Sequence, residues 1–326
     1  MRVAVIGAGG WGEQHARVFS GRADTELVAV VGRTPEKTAA RAARYGATAY
    51  TDLDRMLEAE HPDLAVVCLP NELHFATTLR LIEAGVPLLV EKPLVFDLGE
   101  ADVLLAAAAD RDLFFALNFN HRYAEPVQRA RAAIEAGELG QVVFATWRFG
   151  GEGGAGGTAN ANLIETQCHG FDLLEHLVGP ITSVVAQMTA TTDTVALALE
   201  FANGAIGTML GSYDSSYAYP DSQVVEINGT VGRAVIRDTV RELELSSVGD
   251  PVARVWRAGY FDDEGRSFVG TVDRHVDAVL AALRDGEPPP VHARAGKRAL
   301  QLAHAAIRSH ERGERVLVGP GSGAIG

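Results

Sequence analysis

The segment LIETQCHGFDLLEH, residues 163–176, places two carboxylates and two imidazoles at regular spacing. Glu165, His169, Asp172 and His176 follow one another at gaps of four, three and four residues. On an α-helix, which turns by about 100° per residue, the four fall within an arc of about 60°, so the segment predicts a helix with one polar stripe. Imidazole titrates near neutral pH and is the commonest acid/base group in enzymes. His169 is therefore a candidate acid/base, and Glu165 can orient it or accept from a substrate hydroxyl.

Distance along the helix divides this stripe. At about 1.5 Å per residue, His176 lies roughly 10 Å beyond His169, so it is expected to be structural. Asp172 is expected to support the first turn and to lie near the substrate.

The same residues could instead cap the helix or bind a metal ion. Asn162 could be the N-cap, and Glu165 would then stand at the capping-box position and serve only the helix start. All four side chains are also metal-ligand types, but Glu165 and His176 would be about 16 Å apart along the axis, whereas metal bonds are about 2 Å long. No second cluster completes a site for an adjacent pair, so the sequence predicts no metal.

The first third of the chain predicts the framework for a ligand site. Helical stretches alternate with short apolar runs, which are RVAVIG, ELVAVVG, DLAVVCLP, LLVEKP and FFALNFN. Continuous apolar strands separated by helices are typical of a parallel sheet that is covered on both faces. We expect a doubly wound α/β domain over residues 1–120.

After residue 120 the pattern changes. Closely spaced strands such as VALALEF and AIGTML are joined by an Asn-Gly turn, which favours antiparallel pairing. Two helical segments end the chain, and GGEGGAGGTANAN is typical of a mobile loop. We expect a second domain, residues 121–326, of the α+β class with a large, mainly antiparallel open sheet, whose last helix could pack back on the first domain.

The motif GAGGWG indicates a dinucleotide. Gly7, Gly9 and Gly12 fit G-x-G-x-x-G directly after a strand and before a helix. The chemistry needs a tight turn, a backbone without side chain against a pyrophosphate, and close packing of a helix whose N-terminus attracts anions. This context predicts a Rossmann domain that binds NAD(P).

The end of the second strand suggests which dinucleotide is bound. An acidic residue there usually holds the adenosine 2'-hydroxyl of NAD, but this sequence has Gly32, Arg33 and Thr34. Arginine beside a hydroxyl can bind a 2'-phosphate through charge-assisted hydrogen bonds. NADP(H) is therefore favoured and NAD(H) stays possible; the alternative is that Arg33 is a solvated turn residue.

LLVEKPL places Glu91 and Lys92 at the carboxyl end of a predicted strand, where open α/β sheets hold their ligands, so both are expected to face the crevice. With GAGGWG, the segment PNELHFATTLRLIEAGVPLLVEKP, NFNHRY and DLLEHLVGP, the chain resembles the Gfo/Idh/MocA family of glucose-fructose oxidoreductase, inositol dehydrogenase and rhizopine catabolism dehydrogenases. The likeness extends over nearly the whole chain.

This resemblance implies an NAD(P)-dependent, metal-independent enzyme that interconverts a secondary alcohol and a ketone of a sugar, sugar derivative or cyclitol. It implies Lys92 as the polarising group and His169 as the acid/base. The family's Asp in D-x-x-x-H is here Glu165, and ANA at 159–161 stands where the family often has three glycines. The substrate therefore stays open. A sensor that binds NADP without turnover is the alternative, although it would need neither Lys92 nor His169.

The resemblance also extends the candidate site. Asn71 and His74 follow the strand LAVVCLP on a loop that passes the cofactor; the alternatives are a helix cap for Asn71 and core packing for His74. His15 has no assigned chemistry. The candidate cofactor contacts are Gly7, Gly9, Gly10, Trp11, Gly12, Arg33, Thr34, Leu69, Pro70, Asn71, His74, Glu91 and Lys92. The candidate substrate contacts are Lys92, Arg122, Tyr123, Glu165, His169 and Asp172; packing accounts equally well for Arg122 and Tyr123.

Composition excludes several classes of partner. The formal charge is -13 and no basic cluster is evident, so nucleic acid is not expected. No apolar run is long enough for a membrane span and the N-terminus lacks a secretory pattern. Cys68 and Cys168 are typical of reduced thiols in a cytoplasmic protein. The second-domain sheet needs a cover, and the resemblance implies a homodimer or homotetramer formed through it.

Overall fold

The computed structural model describes residues 1–151, 160–191, 193–216, 219–259 and 261–319. The chain divides into two compact units. The first consists of Met1–Phe119 together with Val272–Lys297, and the second of Asn120–Thr271 together with the chain from Arg298 onward. Most of the predicted loop GGEGGAGGTANAN, residues 152–159, lies outside the described residues.

The first unit contains a parallel sheet of six strands in the order β3-β2-β1-β4-β5-β6. This is the order of a Rossmann fold, so the predicted doubly wound sheet is confirmed. The strands are β1 Arg2–Ile6, β2 Glu26–Val31, β3 Thr48–Tyr50, β4 Leu64–Val67, β5 Leu88–Val90 and β6 Phe115–Leu117. The helices of Met1–Phe119 are α1 Gly10–Ser20, α2 Pro35–Arg44, α3 Leu53–Glu60, α4 His74–Glu83 and α5 Leu98–Ala109.

Residues 272–297 complete the first unit. They include most of α9 (Gly270–Asp285), whose Val272 and Val276 join the same hydrophobic core as Val3 and Phe19. The following residues pair with the edge strand β6, where the Ala293 N–H donates to the Phe115 carbonyl at 2.9 Å. This differs from the expected linear division into 1–120 and 121–326, because the penultimate helix and the first turn of the last helix, residues 294–297, belong to the first unit.

The second unit contains a nine-stranded sheet in the order β14-β13-β12-β11-β7-β10-β9-β8-β15. Neighbouring strands pair antiparallel except β7 and β10, which pair parallel, so the expected mainly antiparallel sheet is confirmed. The strands are β7 Val142–Gly150, β8 Ile181–Met188, β9 Thr194–Phe201, β10 Ile206–Ser212, β11 Gln223–Gly229, β12 Gly232–Arg237, β13 Glu242–Ser247, β14 Arg254–Trp256 and β15 Val316–Leu317. The other helices are α6 Glu125–Glu135, α7 Cys168–Val178, α8 Asp263–Arg266 and α10 Arg294–Arg312.

Helix α7 lies close against β7 of this sheet. Gly170 permits the approach, because a Cβ at this position would stand 2.6 Å from Nε1 of Trp147. The buried Trp147 donates through Nε1 to Oε1 of Gln167 at 2.8 Å. The sheet thus fixes the start of the helix that carries His169.

Candidate active site

The glycine loop after β1 has the geometry that a pyrophosphate requires. Gly7 has φ +134°, and a Cβ on it would stand 2.3 Å from the Cys68 carbonyl oxygen. A Cβ on Gly12 would meet the Gly7 carbonyl oxygen at 1.8 Å, so α1 needs glycine there to pack against the loop. At Gly9 and Gly10, by contrast, a Cβ would meet nothing within 4 Å. Open space therefore lies before the N-terminus of α1, which has no side-chain cap, and a dinucleotide phosphate fits it.

The other predicted cofactor residues of the first unit follow strands whose carboxyl ends share one edge of the sheet. Backbone hydrogen bonds continue the pairing past β1, β4, β5 and β6, from Cys68 to Ile6 at 2.8 Å, from Glu91 to Val67 at 2.9 Å and from Asn118 to Val90 at 2.8 Å. The structure therefore brings the glycine loop and the loops after β2, β4 and β5 to the edge where open α/β sheets bind ligands.

Arg33 is exposed directly beyond β2, and among the residues that the structure describes no carboxylate forms an ion pair with it. Gly32 has no room for a side chain, because a Cβ there would stand 2.4 Å from the hydroxyl oxygen of Thr38. Thr34 begins α2 without forming a side-chain cap. The end of β2 thus presents a cation where an NAD-type site would present a carboxylate.

Glu91 differs from expectation, since the expected exposure to the crevice is wrong for this residue. It is buried, and its Oε1 accepts from Nε2 of His15 at 2.8 Å and from Nδ2 of Asn118 at 2.7 Å. Burial disfavours the charged carboxylate, but the hydrogen bonds of His15 and Asn118 and the charge of Lys92 hold the pKa of Glu91 below its ordinary value. The side chain faces inward because these partners satisfy its charge there.

The chain of contacts continues from Asn118 to a helix far along the sequence. The Asn118 amide donates to Glu91, so its Oδ1 accepts from Nδ1 of His275 on α9, at 2.7 Å. His15 must donate through Nε2, and its buried Nδ1 has no hydrogen-bond partner among the described residues. We call His15, Glu91, Asn118 and His275 the buried polar chain. It lies directly behind Lys92, whose backbone N–H is 3.3 Å from Oε2 of Glu91.

Of the four residues in the buried polar chain, the sequence predicts only Glu91 as a site residue. It assigns His15 no chemistry and does not single out Asn118 or His275. The contacts join residues 76, 27 and 157 positions apart, and no local spacing marks them.

His74 is fully buried, which agrees with core packing. Its Nδ1 lies 2.9 Å from the Pro93 carbonyl oxygen and its Nε2 lies 3.0 Å from that of Leu69. The imidazole therefore ties the loop after β4 to the turn after β5, where the Lys92–Pro93 peptide bond is cis. Asn71 begins a short 3₁₀ turn, Asn71–Leu73, and does not cap α4. Contact of either residue with a cofactor stays a prediction.

Glu165 does not lie on the α-helix that carries His169. Residues Asn162–Thr166 form a π-helical turn, in which the Gln167 N–H donates to the Asn162 carbonyl five residues earlier at 3.0 Å. Asn162 does not cap the helix either. Its Oδ1 accepts from Nε2 of Gln167 at 2.9 Å and its Nδ2 donates to the Asp193 carbonyl at 2.8 Å. The capping-box alternative is therefore wrong, and the polar stripe is regular only from His169 onward.

His169 is buried and packs face to face on His121, a residue that sequence reasoning misses. The ring centroids are 3.9 Å apart and the planes differ by 9°. His121 belongs to the 3₁₀ turn Asn120–Tyr123, which directly follows the first unit in sequence. Its neighbours Arg122 and Tyr123 are candidates from NFNHRY, but nothing in that motif marks His121 as a partner of His169.

Arg122 and Asp172, both predicted to contact substrate, form a buried bidentate ion pair. Nε of Arg122 lies 2.9 Å from one carboxylate oxygen of Asp172 and Nη2 lies 2.6 Å from the other. Burial lowers the pKa of Arg122, but the charge and hydrogen bonds of Asp172 outweigh it and raise this pKa above its ordinary value. Burial likewise raises the pKa of Tyr123 to about 12, so its phenol stays protonated.

His176 has the structural environment that its distance from His169 predicts. Burial, together with the charges of Arg122 and Arg131, lowers its pKa to about 3. Its Nε2 is buried without a hydrogen-bond partner in the described part of the chain. A histidine that stays neutral at every working pH is unsuited to acid/base catalysis.

Potential metal ligands are scattered over the described ranges. Within them, no three or more His, Cys, Asp or Glu side chains are placed to hold one ion. None of the helices in those ranges is both long enough and apolar enough to cross a membrane.

Comparison with known proteins decides the family. A model described as an oxidoreductase family with an NAD-binding Rossmann fold matches residues 1–119, and the model of the same family's C-terminal alpha/beta domain matches residues 131–318. The chain belongs to the Gfo/Idh/MocA oxidoreductase family. The resemblance carried by GAGGWG and the Glu91–Lys92–Pro93 segment is thereby confirmed, and the chain is an oxidoreductase with an NAD-binding domain.

Several known dehydrogenases are similar to this chain in sequence or in fold. Inositol 2-dehydrogenase of Rhizobium meliloti is 27% identical over 95% of this chain and 96% of its own. D-glucoside 3-dehydrogenase of Escherichia coli is 36% identical over 45% of this chain and 43% of its own. The structure of levoglucosan dehydrogenase in complex with NADH superposes with a TM-score of 0.88, at 20% identity, over 98% of this chain and 99% of the other.

Proposed function

We propose that this chain interconverts a secondary alcohol and a ketone on a sugar, sugar derivative or cyclitol, with a nicotinamide dinucleotide and without a metal ion. The observation that carries the proposal is the placement of Lys92. It follows β5 at the same sheet edge as the open glycine loop, which supports an ammonium group beside the bound dinucleotide. The substrate class is supported by relatives that are named as inositol and glucoside dehydrogenases.

In this proposal each group has its own task. A bound nicotinamide donates or accepts the hydride. Lys92 stabilises the charge that develops on the substrate oxygen, and His169 takes or returns its proton. Glu165, on the π-helical turn before α7, binds a second hydroxyl or orients His169. Tyr123 contributes a neutral phenol, because its pKa of about 12 lies far above the working range.

Turnover tests this assignment directly. Lys92→Ala and His169→Ala should each lower kcat by about a hundredfold or more while cofactor affinity changes little. Nicotinamide absorbance is followed with a panel of polyols and keto-sugars, and cofactor binding is measured by NADPH and NADH fluorescence. Unchanged rates would remove both residues from the mechanism. Cofactor binding without turnover of any sugar or cyclitol would point to the sensor.

We further propose that NADP(H) is preferred and that NAD(H) is a possible alternative. The exposed Arg33 beside Gly32 supports this, because a guanidinium matches a 2'-phosphate and stands where a carboxylate would match a 2'-hydroxyl. Arg33→Ala should weaken NADPH binding far more than NADH binding. Arg55→Ala, an exposed arginine on α3, is the matched control. Equal losses for both dinucleotides would refute the role of Arg33.

We propose that a second copy of the chain covers the nine-stranded sheet and forms a homodimer or homotetramer. The large apolar residues exposed on it include Phe144, Val185, Ile206 and Leu210, and Ile206 stands directly opposite Phe144 in the register. On β12 and β13 the neighbouring charges of this sheet neutralise each other, as in the Arg233–Glu244 and Arg237–Glu242 pairs. An apolar surface beside mutually neutralised charges suits pairing of like faces.

Light scattering of the purified protein tests this assembly. Ile206→Asp should lower the oligomer mass, because it buries a charge in the proposed contact. Val103→Asp, a similarly exposed apolar position on α5, should leave the mass unchanged. A monomeric wild-type chain would contradict the proposal.

We propose that the protein is cytoplasmic. Cys68 and Cys168 are both buried and form no disulfide, as suits a reducing compartment. Burial raises the pKa of Cys68 well above its ordinary value, so this thiol is unreactive. Fractionation of cells that express the protein is the check.

A further inference from the structure

We infer that His121 is a positioning residue that fixes the ring plane of His169 by stacking on it. The inference rests on the proposed role of His169 as the acid/base. It concerns a residue that lies 48 positions earlier in the chain and belongs to a different element.

The stack covers one face of His169 and does not occupy its ring edge. Centroids 3.9 Å apart with planes 9° from parallel place the two rings in van der Waals contact over one face. The N–H bond and the lone pair of an imidazole lie in the ring plane, so a neighbour on the face competes for neither. The stacked neighbour restricts rotation of the His169 ring. This matters because proton transfer depends steeply on the alignment of the ring nitrogen with the substrate oxygen.

His121 is itself held on its edge and through a ring nitrogen. Phe268 meets it edge-on, with centroids 5.2 Å apart and planes at 89°. Nε2 of Gln223 lies 3.4 Å from Nδ1 of His121, and the Thr239 hydroxyl donates to Oε1 of Gln223. Gln223 therefore presents its N–H to Nδ1, so His121 carries its proton on Nε2 when it is neutral. A ring held in this way is a fixed support.

The backbone on each side of the stack is clamped by the ion pair that was expected to bind substrate. Arg122 follows His121, and Asp172 lies one helical turn after His169. The bidentate Arg122–Asp172 pair thus joins the Asn120–Tyr123 turn to the first turns of α7. Two adjacent residues of the turn hold two residues of the helix, one by stacking and one by charge. The function of Arg122 and Asp172 in this arrangement is to set the spacing of the stack.

Substitutions that keep or remove a flat ring test the inference. In the full-length protein His121→Phe preserves the flat ring without nitrogens, and His121→Leu removes it. We expect His121→Leu to lower kcat by about tenfold or more, with KM and cofactor affinity changed less than about threefold, and His121→Phe to restore most of kcat. His176→Leu, which removes a half-buried histidine from the same helix outside the stack, is the matched control and should keep the wild-type kcat.

The stack also has a signature that does not depend on activity or on the stability of a variant. In histidine-labelled wild-type protein, the ring protons of His169, assigned by their loss in His169→Phe, should be shifted upfield by the facing ring. The shift should persist in His121→Phe and vanish in His121→Leu. Absence of the shift in wild type, a normal kcat in His121→Leu, or a His121→Phe kcat as low as that of His121→Leu would each overturn the inference. An upfield shift together with unchanged turnover in His169→Phe would show that the stack exists but that the acid/base role is wrong.

Discussion

The two proposed reacting side chains are supported in physically different ways. Behind Lys92, the buried polar chain surrounds one carboxylate with hydrogen-bond donors, and each link is a single hydrogen bond. Behind His169, the support is a ring stack set by a desolvated ion pair between Arg122 and Asp172. In the first arrangement, the stabilisation is spread over several hydrogen bonds. In the second, it comes mainly from two opposite charges that neutralise each other.

This difference teaches where each unit is sensitive. Removal of one member of a hydrogen-bonded chain leaves one or two neighbours unsatisfied. Removal of one member of a buried ion pair leaves an uncompensated charge in the interior, which costs more.

The largest effect is therefore expected at the ion pair. Asp172→Leu should lower the free energy of unfolding by about 3–5 kcal/mol, because Arg122 is left charged and buried. Urea unfolding, followed by tryptophan fluorescence, measures this. The double variant Arg122→Met with Asp172→Leu should regain much of the loss. If the double variant were as unstable as the single one, the buried charge of Arg122 would not be the cause of the loss.

A smaller effect is expected in the middle of the buried polar chain. Asn118→Leu removes a donor from Glu91 and an acceptor from His275, and should cost about 1–3 kcal/mol of unfolding free energy. Thermal unfolding of the holoenzyme and of the cofactor-free chain provides the measurement. A loss as large as that of Asp172→Leu would erase the contrast between the two supports.

The two regions should also differ in their response to pH. His176 has a pKa of about 3 in the folded chain and near 6.5 when unfolded, so below pH 6.5 the unfolded state binds a proton that the folded state excludes. Wild type should lose up to about 1.4 kcal/mol per pH unit from this group as the pH falls toward 3, and His176→Leu should not.

Glu91 provides the comparison. Its pKa is lowered on folding, so its contribution is complete above its ordinary value and is lost only as the pH falls through the lower folded value. Between pH 7 and pH 5, the stability difference between wild type and Glu91→Gln should therefore be constant, while that between wild type and His176→Leu declines. Urea titrations at several pH values distinguish the two; parallel slopes would refute the assignment.

The smallest effect is expected at His275, the far end of the buried polar chain. His275→Phe keeps the ring volume and removes one hydrogen bond to Asn118, at a cost of about 0.5–1.5 kcal/mol. Because the hydrogen bonds from His275 reach Lys92 through Asn118 and Glu91, kcat should change less than in Asn118→Leu. A larger drop in kcat for His275→Phe would show a more direct role.

The sequence predicts those elements that are marked by an apolar run or a motif within a short stretch of chain. The continuous burial of β1 and β4 follows from runs such as VAVI and AVV, and the glycine loop follows from its motif. The strand β3 and the helix α3 escape prediction because Thr48 and Ala49 are exposed and form no apolar run. The π-helical turn escapes it because Asn162 and Glu165 have the spacing of a capping box, although Asn162 instead binds Gln167 and Asp193.

The supports behind Lys92 and His169 could not be predicted, because they are made by residues far apart in sequence. Arg122 and Asp172 are 50 positions apart, and a single sequence does not show that two charges meet. Arg122 and Asp172 are candidates because each lies in a motif that is assigned to the site. Only the fold shows that the two charges pair with each other.

The return of residues 272–297 to the first unit has a consequence for synthesis of the chain. When a ribosome has released residues 1–120, all six parallel strands exist, but Val272, Val276 and the segment that pairs with β6 do not. The nascent Rossmann unit must then wait, with part of its core open, for more than 150 further residues to emerge. At about 5–20 residues per second this delay lasts roughly 8–30 s, a period in which a chaperone has access to the exposed core.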